Sequence, residues 1–460
     1  MNGNWVDTWF LKGPGPRKAL TLGATFTTTQ LREHIEFQQQ RLTEAGLLPR
    51  GTAALRLPPS LASITTLLAA WRIGAQVSLI DYRLTEHEAA ASIARINPQV
   101  VVAPDREITG RLRGYFETGS VITTRPDGAP AHTDHVLLQL SSGSTGPSKV
   151  IGRTATSLIE EVERYRLIDG FPGSGERIVV LASIIHVLGL VGGLLYGLHH
   201  DIHLVLPSSH TVDAIHHAVA ADPAPTTILG VPAQAGLLSA VQSPPPLPQL
   251  KAMVVGGDRL KTEAWQRFTN CYGVPLGLMY GMTEAGVIAS DLNGALRPRL
   301  TLAPGISVRI EDGEILLRLD AGPYVGQTDP SRYVDGWLRT KDAGTLDPDT
   351  GLLSVHGRLD QQVSVAGLKV DLLEVEELLS RLPGVRDAVV VHGAGIEAYV
   401  AVSDGDVTGD LLSETVAARL AVYKRPRRLH ILPAIPRTAT GKPLRNPEAL
   451  RAAARAAVTL

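Results

Sequence analysis

At 460 residues the chain exceeds what one ordinary hydrophobic core supports, so two or more domains are expected. An apolar fraction of 44% with 19% charged residues excludes a disordered chain, and a formal net charge of −1 gives no general attraction to nucleic acid or an anionic membrane. Cys271 is the sole cysteine, which excludes an internal disulfide and a cysteine-based zinc site. That usage, with a start lacking the basic and apolar stretches of a signal peptide, fits a cytoplasmic location.

In chain order, apolar spacing predicts a helix over residues 28–47, with Thr28 or Thr29 as N-cap, a strand at 53–57, and a helix over 60–74. A strand at 75–80, a polar helix over 85–96 and a strand at 100–102 follow. Strands alternating with helices of this length predict an α/β doubly wound parallel sheet.

Next comes a short apolar strand, Leu137 to Leu140, that stops at Ser141-Ser142-Gly143-Ser144-Thr145-Gly146-Pro147-Ser148-Lys149. Hydroxyls, glycine backbone and one lysine suit a polyphosphate, at the carboxyl end of a strand where open α/β sheets bind ligands. The P-loop pattern does not fit, because Lys149 precedes Val150. By composition alone the segment also suits a plain flexible loop.

Residues 178–198 form an apolar run long enough to span a bilayer, with Gly189, Gly193 and Gly197 at small-residue spacing. It divides at His186-Val187-Leu188-Gly189 into a β-branched half and a glycine-dotted half, which predicts a buried strand and helix and no membrane span. Strands at 227–232, 252–257 and 276–284 follow, then a small β module of short strands between 300 and 357. The last hundred residues form a separate unit, with a helix over 371–382, strands at 388–391 and 398–402, and a helix over 409–421.

The polar punctuation recurs at strand ends. After the Ser141–Lys149 loop come His186 to Gly189, Gly256-Gly257, Tyr280-Gly281-Met282-Thr283-Glu284, Asp342, Gly357-Arg358-Leu359-Asp360, Ala366-Gly367-Leu368-Lys369 and Pro436-Arg437-Thr438-Ala439-Thr440-Gly441-Lys442. In this order and over essentially the whole chain, the series resembles the adenylate-forming superfamily of acyl- and aryl-CoA synthetases, peptide-synthetase adenylation domains and firefly-type luciferases.

The resemblance implies an N-terminal domain over 1–359 that binds ATP and acid, and a small mobile α+β domain over 360–460. It implies ATP-dependent activation of a small carboxylic acid as an acyl-adenylate, release of pyrophosphate, and transfer to CoA or to the phosphopantetheine of an acyl or aryl carrier protein. Ser141, Ser142, Gly143, Ser144, Thr145, Gly146 and Lys149 would hold the β- and γ-phosphates. Gly256, Gly257 and Gly281 would let the backbone approach adenine, with Tyr280 stacked on it. Thr283 would touch the α-phosphate and Glu284 would hold Mg²⁺. Asp342, with Arg358 beside it, would bind the ribose hydroxyls, and His186 would sit at the acyl pocket. Lys442 would bridge carboxylate and α-phosphate, Asp360 would be the hinge, and Gly367 would line the thiol tunnel. Alone, each has a bland reading: Thr283-Glu284 as a helix start, His186 as a core histidine, Asp342 as a turn acid, Lys442 as an exposed turn.

Two departures stand out: Ser148-Lys149-Val150 where the superfamily has Pro-Lys-Gly, and Thr340-Lys341-Asp342 where it has Thr-Gly-Asp. Amino-acid-activating relatives carry an aspartate in the segment that here reads Ala182 to Leu190 without an acid, so an α-amino acid should be rejected. Gly189, Gly192 and Gly193 then suggest room for something flat or short, and Arg153-Thr154 resembles aryl-acid-activating members, so an uncharged aryl or short acyl acid is expected. The alternatives are an amino-acid-adenylating enzyme, or a binding or regulatory module that keeps the fold without turnover. His199, His200, His203, His216 and His217 lack an evident carboxylate shell, so no metal is expected there. Lys424, Arg425, Arg427 and Arg428 suit either a phosphate or carrier-protein contact or a solvated surface.

Overall fold

The computed structural model describes residues 5–13, 15–108, 114–141, 149–258, 260, 262–326, 329–359, 361–403, 407–436 and 443–458. Two compact units result. The larger comprises Met1–Tyr82, Ile93–Leu140 and Val150–Gly357, the smaller Arg83–Ser92, Ser141–Lys149 and Arg358–Leu460.

The helices begin and end where short polar residues and glycine allow it. The first long helix is Thr28–Glu44, capped one residue earlier than expected, because Thr27 and Gln30 form a reciprocal capping box. Ser60 and Ser63 do the same for Leu61–Ile73, which stops at Gly74 with φ +89°. That helix is buried nearly all round, and Trp71 within it donates its indole N–H to the Val136 carbonyl at 2.8 Å.

It covers a six-stranded sheet ordered Ser120–Thr124, Val100–Pro104, Thr52–Leu55, Gln76–Leu79, Leu137–Ser141, Lys149–Arg153. The inner pairings from Val100–Pro104 to Leu137–Ser141 are parallel, as the alternation of strand and helix predicts. Ser141 and Lys149 therefore mark the two ends of the glycine-rich segment, on strands of one sheet.

A second, 14-stranded sheet has a parallel centre made of His203–Val205, Arg177–Val180, Thr226–Gly230, Leu250–Gly256 and Leu276–Met282. The sheet turns antiparallel at Gly286–Asp291 and runs on through Arg299–Leu302, Leu353–Arg358, Trp337–Leu346 and Glu314–Arg318 to Val308–Glu311. The expected β module is thus a continuation of this sheet.

The apolar run divides as its composition suggests. Arg177–Val180 is a buried strand, and Leu188–Leu195 is a π-helix that passes into the α-helix Tyr196–His199. Among the described residues no helix is long and apolar enough to cross a membrane. Arg177 is drawn inward because its guanidinium serves the carboxyl end of Val212–Ala220, donating to the Ala218 and Val219 carbonyls at 2.8 and 3.1 Å.

The smaller unit pairs Gln362–Val365 with Leu368–Asp371 across a two-residue turn, Ala366 (φ +51°) and Gly367 (φ +84°). Beside it lie the three-stranded sheet Val385–His392, Ile396–Val402 and Arg428–Leu432 and the helices Leu372–Ser380, Gly409–Arg419 and Pro447–Val458.

Candidate active site

The punctuated strand ends of the larger unit meet as the motif order suggests. Gly256 closes Leu250–Gly256, and Gly257 continues with φ +85°, a conformation glycine adopts without strain. On the neighbouring strand Leu276–Met282, Tyr280 directs its phenol to Asp342, donating to Oδ2 at 2.7 Å. Two residues assigned to opposite ends of a nucleoside, adenine and ribose, are therefore in direct contact. Asp342 is buried, and its own N–H is held by the Thr340 hydroxyl at 3.0 Å, which donates in turn to the Ile315 carbonyl at 2.7 Å.

Between Thr340 and Asp342, Lys341 sits at φ +61° in the left-handed region, at a register shift of Trp337–Leu346 against Glu314–Arg318. Its N–H donates to Glu314 Oε1 at 2.8 Å, and Arg339 fixes the other Glu314 oxygen at 2.9 Å. The place where lysine replaces the superfamily's glycine is thus a place glycine would suit. A non-glycine residue there costs roughly 1–2 kcal/mol, part of which glycine's extra unfolded-state freedom offsets. Lys341→Gly is expected to raise the stability by up to about 1 kcal/mol, and Lys341→Val to lower it by about 1 kcal/mol or more. Urea unfolding midpoints decide this; a lower midpoint for the glycine variant would remove the strain argument.

Thr283 and Glu284 follow in a half-buried turn. Tyr324 donates its phenol to Glu284 Oε1 at 3.0 Å, and buried Arg332 donates to the Tyr324 oxygen at 3.3 Å. Tyr324 arrives there because its segment bridges Ile151 in Lys149–Arg153, the strand that leaves the glycine-rich segment. Burial, reinforced by the Glu284 charge, pushes the Tyr324 phenol well above its ordinary value, so it remains a donor. Among the described residues no lysine or arginine pairs with Glu284, and its second oxygen is left for a cation. A hard carboxylate held in this way fits Mg²⁺.

Below that turn, helix Ala155–Arg166 carries Glu161, which is fully buried and contacts Arg153 at 2.8 Å. A Cβ added to Gly286 (φ +78°) would stand 2.1–2.3 Å from the Glu161 carboxylate, so only glycine fits that point. Arg164 donates to the carbonyls of Ala285 and Pro304 at 3.3 and 3.2 Å. A buried ionic layer thus underlies the Thr283–Glu284 turn. Arg153 and Thr154, which counted toward an aryl acid, serve this layer instead: Arg153 bonds the Ser157 hydroxyl and carbonyl, and Thr154 caps the helix.

The segment from Ala182 to Leu190 bends at His186, which is exposed, and opens the π-helix. Buried Ile184 and Ile185 precede it, and the Gln139 amide holds the Ile185 carbonyl at 2.7 Å. Leu188 reaches the end of Leu250–Gly256, with Cδ2 lying 3.2 Å from the position of a Cβ on Gly256. The glycines were expected to leave room for a substrate, and this the structure corrects. A Cβ on Gly189 would meet the Ser183 carbonyl at 2.4 Å, on Gly192 the Tyr165 ring at 2.7 Å, and on Gly193 Val180 at 3.2 Å. They permit close packing of the helix within the protein.

Ser142, Gly143, Ser144, Thr145 and Gly146, the hinge Asp360 and Lys442 lie outside the described residues. Lys149 and Arg358 are half-buried strand residues, Arg358 at the end of Leu353–Arg358. The basic cluster is divided: Lys424 is buried and bonds Glu374 at 2.8 Å, Arg425 donates to the carbonyls of Leu420 and Ala417, and Arg427 and Arg428 are exposed. Burial works to lower the Lys424 value, and the Glu374 and Glu88 carboxylates with Tyr423 together outweigh it, so the ammonium stays charged.

Parallel strands that gather glycines, a tyrosine and a Thr-Glu turn at their carboxyl ends, with an acid from the antiparallel strand Trp337–Leu346 bonded to that tyrosine, suit an adenylate-forming enzyme. Residues 8–322 match the AMP-binding enzyme family and residues 374–442 its C-terminal domain, so the chain belongs to the AMP-binding enzymes. It is an acid–thiol ligase, which activates a carboxylic acid with ATP and passes the acyl group to a thiol. Among curated relatives, 4-chlorobenzoate–CoA ligase from Arthrobacter sp is 26% identical over 91% of this chain and 89% of its own. A 4-coumarate–CoA ligase-like protein from Oryza sativa subsp. japonica is 28% identical over 87% and 83%. In fold, o-succinylbenzoate CoA synthetase from Bacillus subtilis superposes with a TM-score of 0.82 at 22% identity, covering 96% of this chain and 97% of that one.

Proposed function

We propose that the acid is an uncharged aryl carboxylate and that the acceptor is CoA. The observation that carries this is the acid-side turn, Ala182 to Leu190, which contains no carboxylate and sets Leu188 against Gly256 at the nucleotide side. An α-ammonium placed against Ile184, Ile185 and Leu188 would be unpaired and would cost at least several kcal/mol. Relatives named for 4-chlorobenzoate and 4-coumarate support an aryl acid over a short acyl one, and their naming as CoA ligases supports CoA over a carrier protein.

In this reading the backbone at Gly256-Gly257 admits adenine. Tyr280, tethered to Asp342, presents its ring to the base, while the second Asp342 oxygen and Arg358 face the ribose. The segment from Ser141 to Lys149 receives the terminal phosphates and Thr283 the α-phosphate. Glu284 would hold Mg²⁺, which neutralises charge developing on the phosphate oxygens. Lys442 supplies the cation that lets two anions meet, and a rotation at Asp360 then brings the face around Gly367 to the thiol.

Pyrophosphate exchange across benzoates, cinnamates, short fatty acids and the common amino acids tests the proposal, followed by thioester formation with CoA and with a phosphopantetheinylated carrier protein. Exchange with aryl acids and transfer to CoA are expected. Robust exchange with an amino acid and none with aryl acids would overturn it.

A further inference from the structure

One group of ligating side chains has no part in that reaction. His199 ends the short helix that follows the π-helix, and His200 is its cap. Glu163 faces them from helix Ala155–Arg166. A ligand atom from each of Glu163, His199 and His200 can be chosen so that all lie within 4.8 Å of one another. The histidines named from the sequence divide differently than their spacing suggests: His203 bonds the Thr21 hydroxyl and His216 the Tyr272 phenol, each at 2.8 Å. The carboxylate absent from the neighbouring sequence comes instead from 36 residues upstream.

We propose that Glu163, His199 and His200 bind a single zinc-class divalent cation, which clips two helices of the larger unit together independently of acyl transfer.

The details of each ligand suit this. His199 is buried and its Nδ1 lies 2.8 Å from the Trp9 carbonyl, which points Nε2 toward Glu163 Oε1 at 2.9 Å. A backbone carbonyl holding the far ring nitrogen is the usual support of a metal-binding histidine. The Trp9 indole stacks on the same ring at a centroid distance of 4.8 Å and fixes its plane. Both hydrogen-bond partners of His199 are acceptors, and a cation at Nε2 takes the place of the contact with Glu163 Oε1.

His200 has a buried Nε2 with no hydrogen-bond partner among the described residues. Arg166 bonds Glu163 Oε2 at 2.7 Å, which leaves Oε1 as a single ligand oxygen. Two imidazoles and one carboxylate are a zinc donor set with a position left for water. Ligand atoms around tetrahedral zinc stand about 3.3 Å apart, so the widest pair closes by at most about 1.5 Å on binding.

The test uses the full-length protein, titrated with Zn²⁺ against a chromogenic chelator and with Co²⁺ by visible absorption. One equivalent is expected to bind, with the intense Co²⁺ bands of a four-coordinate site. Glu163→Gln and His200→Gln are each expected to weaken binding at least about tenfold, and His203→Gln and His216→Gln to leave it unchanged. His200→Gln guards against a folding artefact, because that ring nitrogen has no bond to lose; circular dichroism checks both variants. Binding without stoichiometry, or equal affinity in His200→Gln and the parent, means surface histidines alone and overturns the proposal.

Discussion

Lys442→Ala is expected to abolish acyl-adenylate formation while leaving transfer from a supplied acyl-adenylate to the thiol largely intact. In the first half-reaction a carboxylate must approach an α-phosphate, and two anions repel unless a positive charge stands between them. Among the described residues of the larger unit, the groups placed around the site do not supply that charge at the acid. Tyr280 and Asp342 are tied to each other, and Glu284 adds a negative charge bonded to Tyr324. The turn from Ala182 to Leu190 offers only His186 as a basic side chain. In the second half-reaction the acyl carbon is already activated and AMP leaves, so no carboxylate has to be neutralised. Loss of one positioned charge of this kind costs on the order of a hundredfold or more. Pyrophosphate exchange against thioester formation from synthetic acyl-adenylate separates the two steps, and an equal fall in both would show that Lys442 has another role.

The sequence carries most of the central parallel strands of both sheets, because a parallel strand buried on both faces is a continuous apolar run, while edge strands such as Ser120–Thr124 and His203–Val205 are missed. Val100–Pro104, Thr226–Gly230 and Leu250–Gly256 stand close to where their runs place them. It carries caps less exactly: Thr27 competes with Thr28 and Thr29, and the choice falls to Gln30 three residues on. It misstates the glycines of the π-helix, since a glycine that admits a ligand and one that admits Tyr165 look the same in one dimension.

The contacts between site residues are the least legible, because each joins positions far apart in the chain. Tyr280 and Asp342 are separated by 62 residues and Glu284 and Tyr324 by 40, and no local pattern marks either pair. Glu161 is hidden in another way. In the run Glu160-Glu161-Val162-Glu163 it reads as one of several solvated acids, yet it is the fully buried member because Arg153 lies within reach. A charged residue inside a polar helix face discloses its partner only in three dimensions.

The Tyr324 contact leads to the second large effect. A carboxylate that binds a metal is only as well placed as the group that holds it, and the hydrogen bonds behind metal ligands are typically worth 10–100-fold in affinity or activity. Tyr324 holds Glu284 Oε1, and Arg332, buried with an unpartnered Nε among the described residues, steadies the phenol from behind. Tyr324→Phe keeps the ring and its packing and removes only the donor. Glu284 then turns about its side-chain torsions, and the cost falls on Mg²⁺. We expect the Mg²⁺ concentration needed for nucleotide binding to rise about tenfold to a hundredfold. Mn²⁺ electron paramagnetic resonance and Mg²⁺-dependent ATP binding report this without turnover. The KM for the acid should remain near its original value, because among the described residues Tyr324 hydrogen-bonds Glu284 and Arg332 and no group on the segment from Ala182 to Leu190. A merely structural role predicts the opposite pattern, lower stability with an unchanged Mg²⁺ requirement. That outcome would separate Tyr324 from Glu284 and leave the phenol as packing.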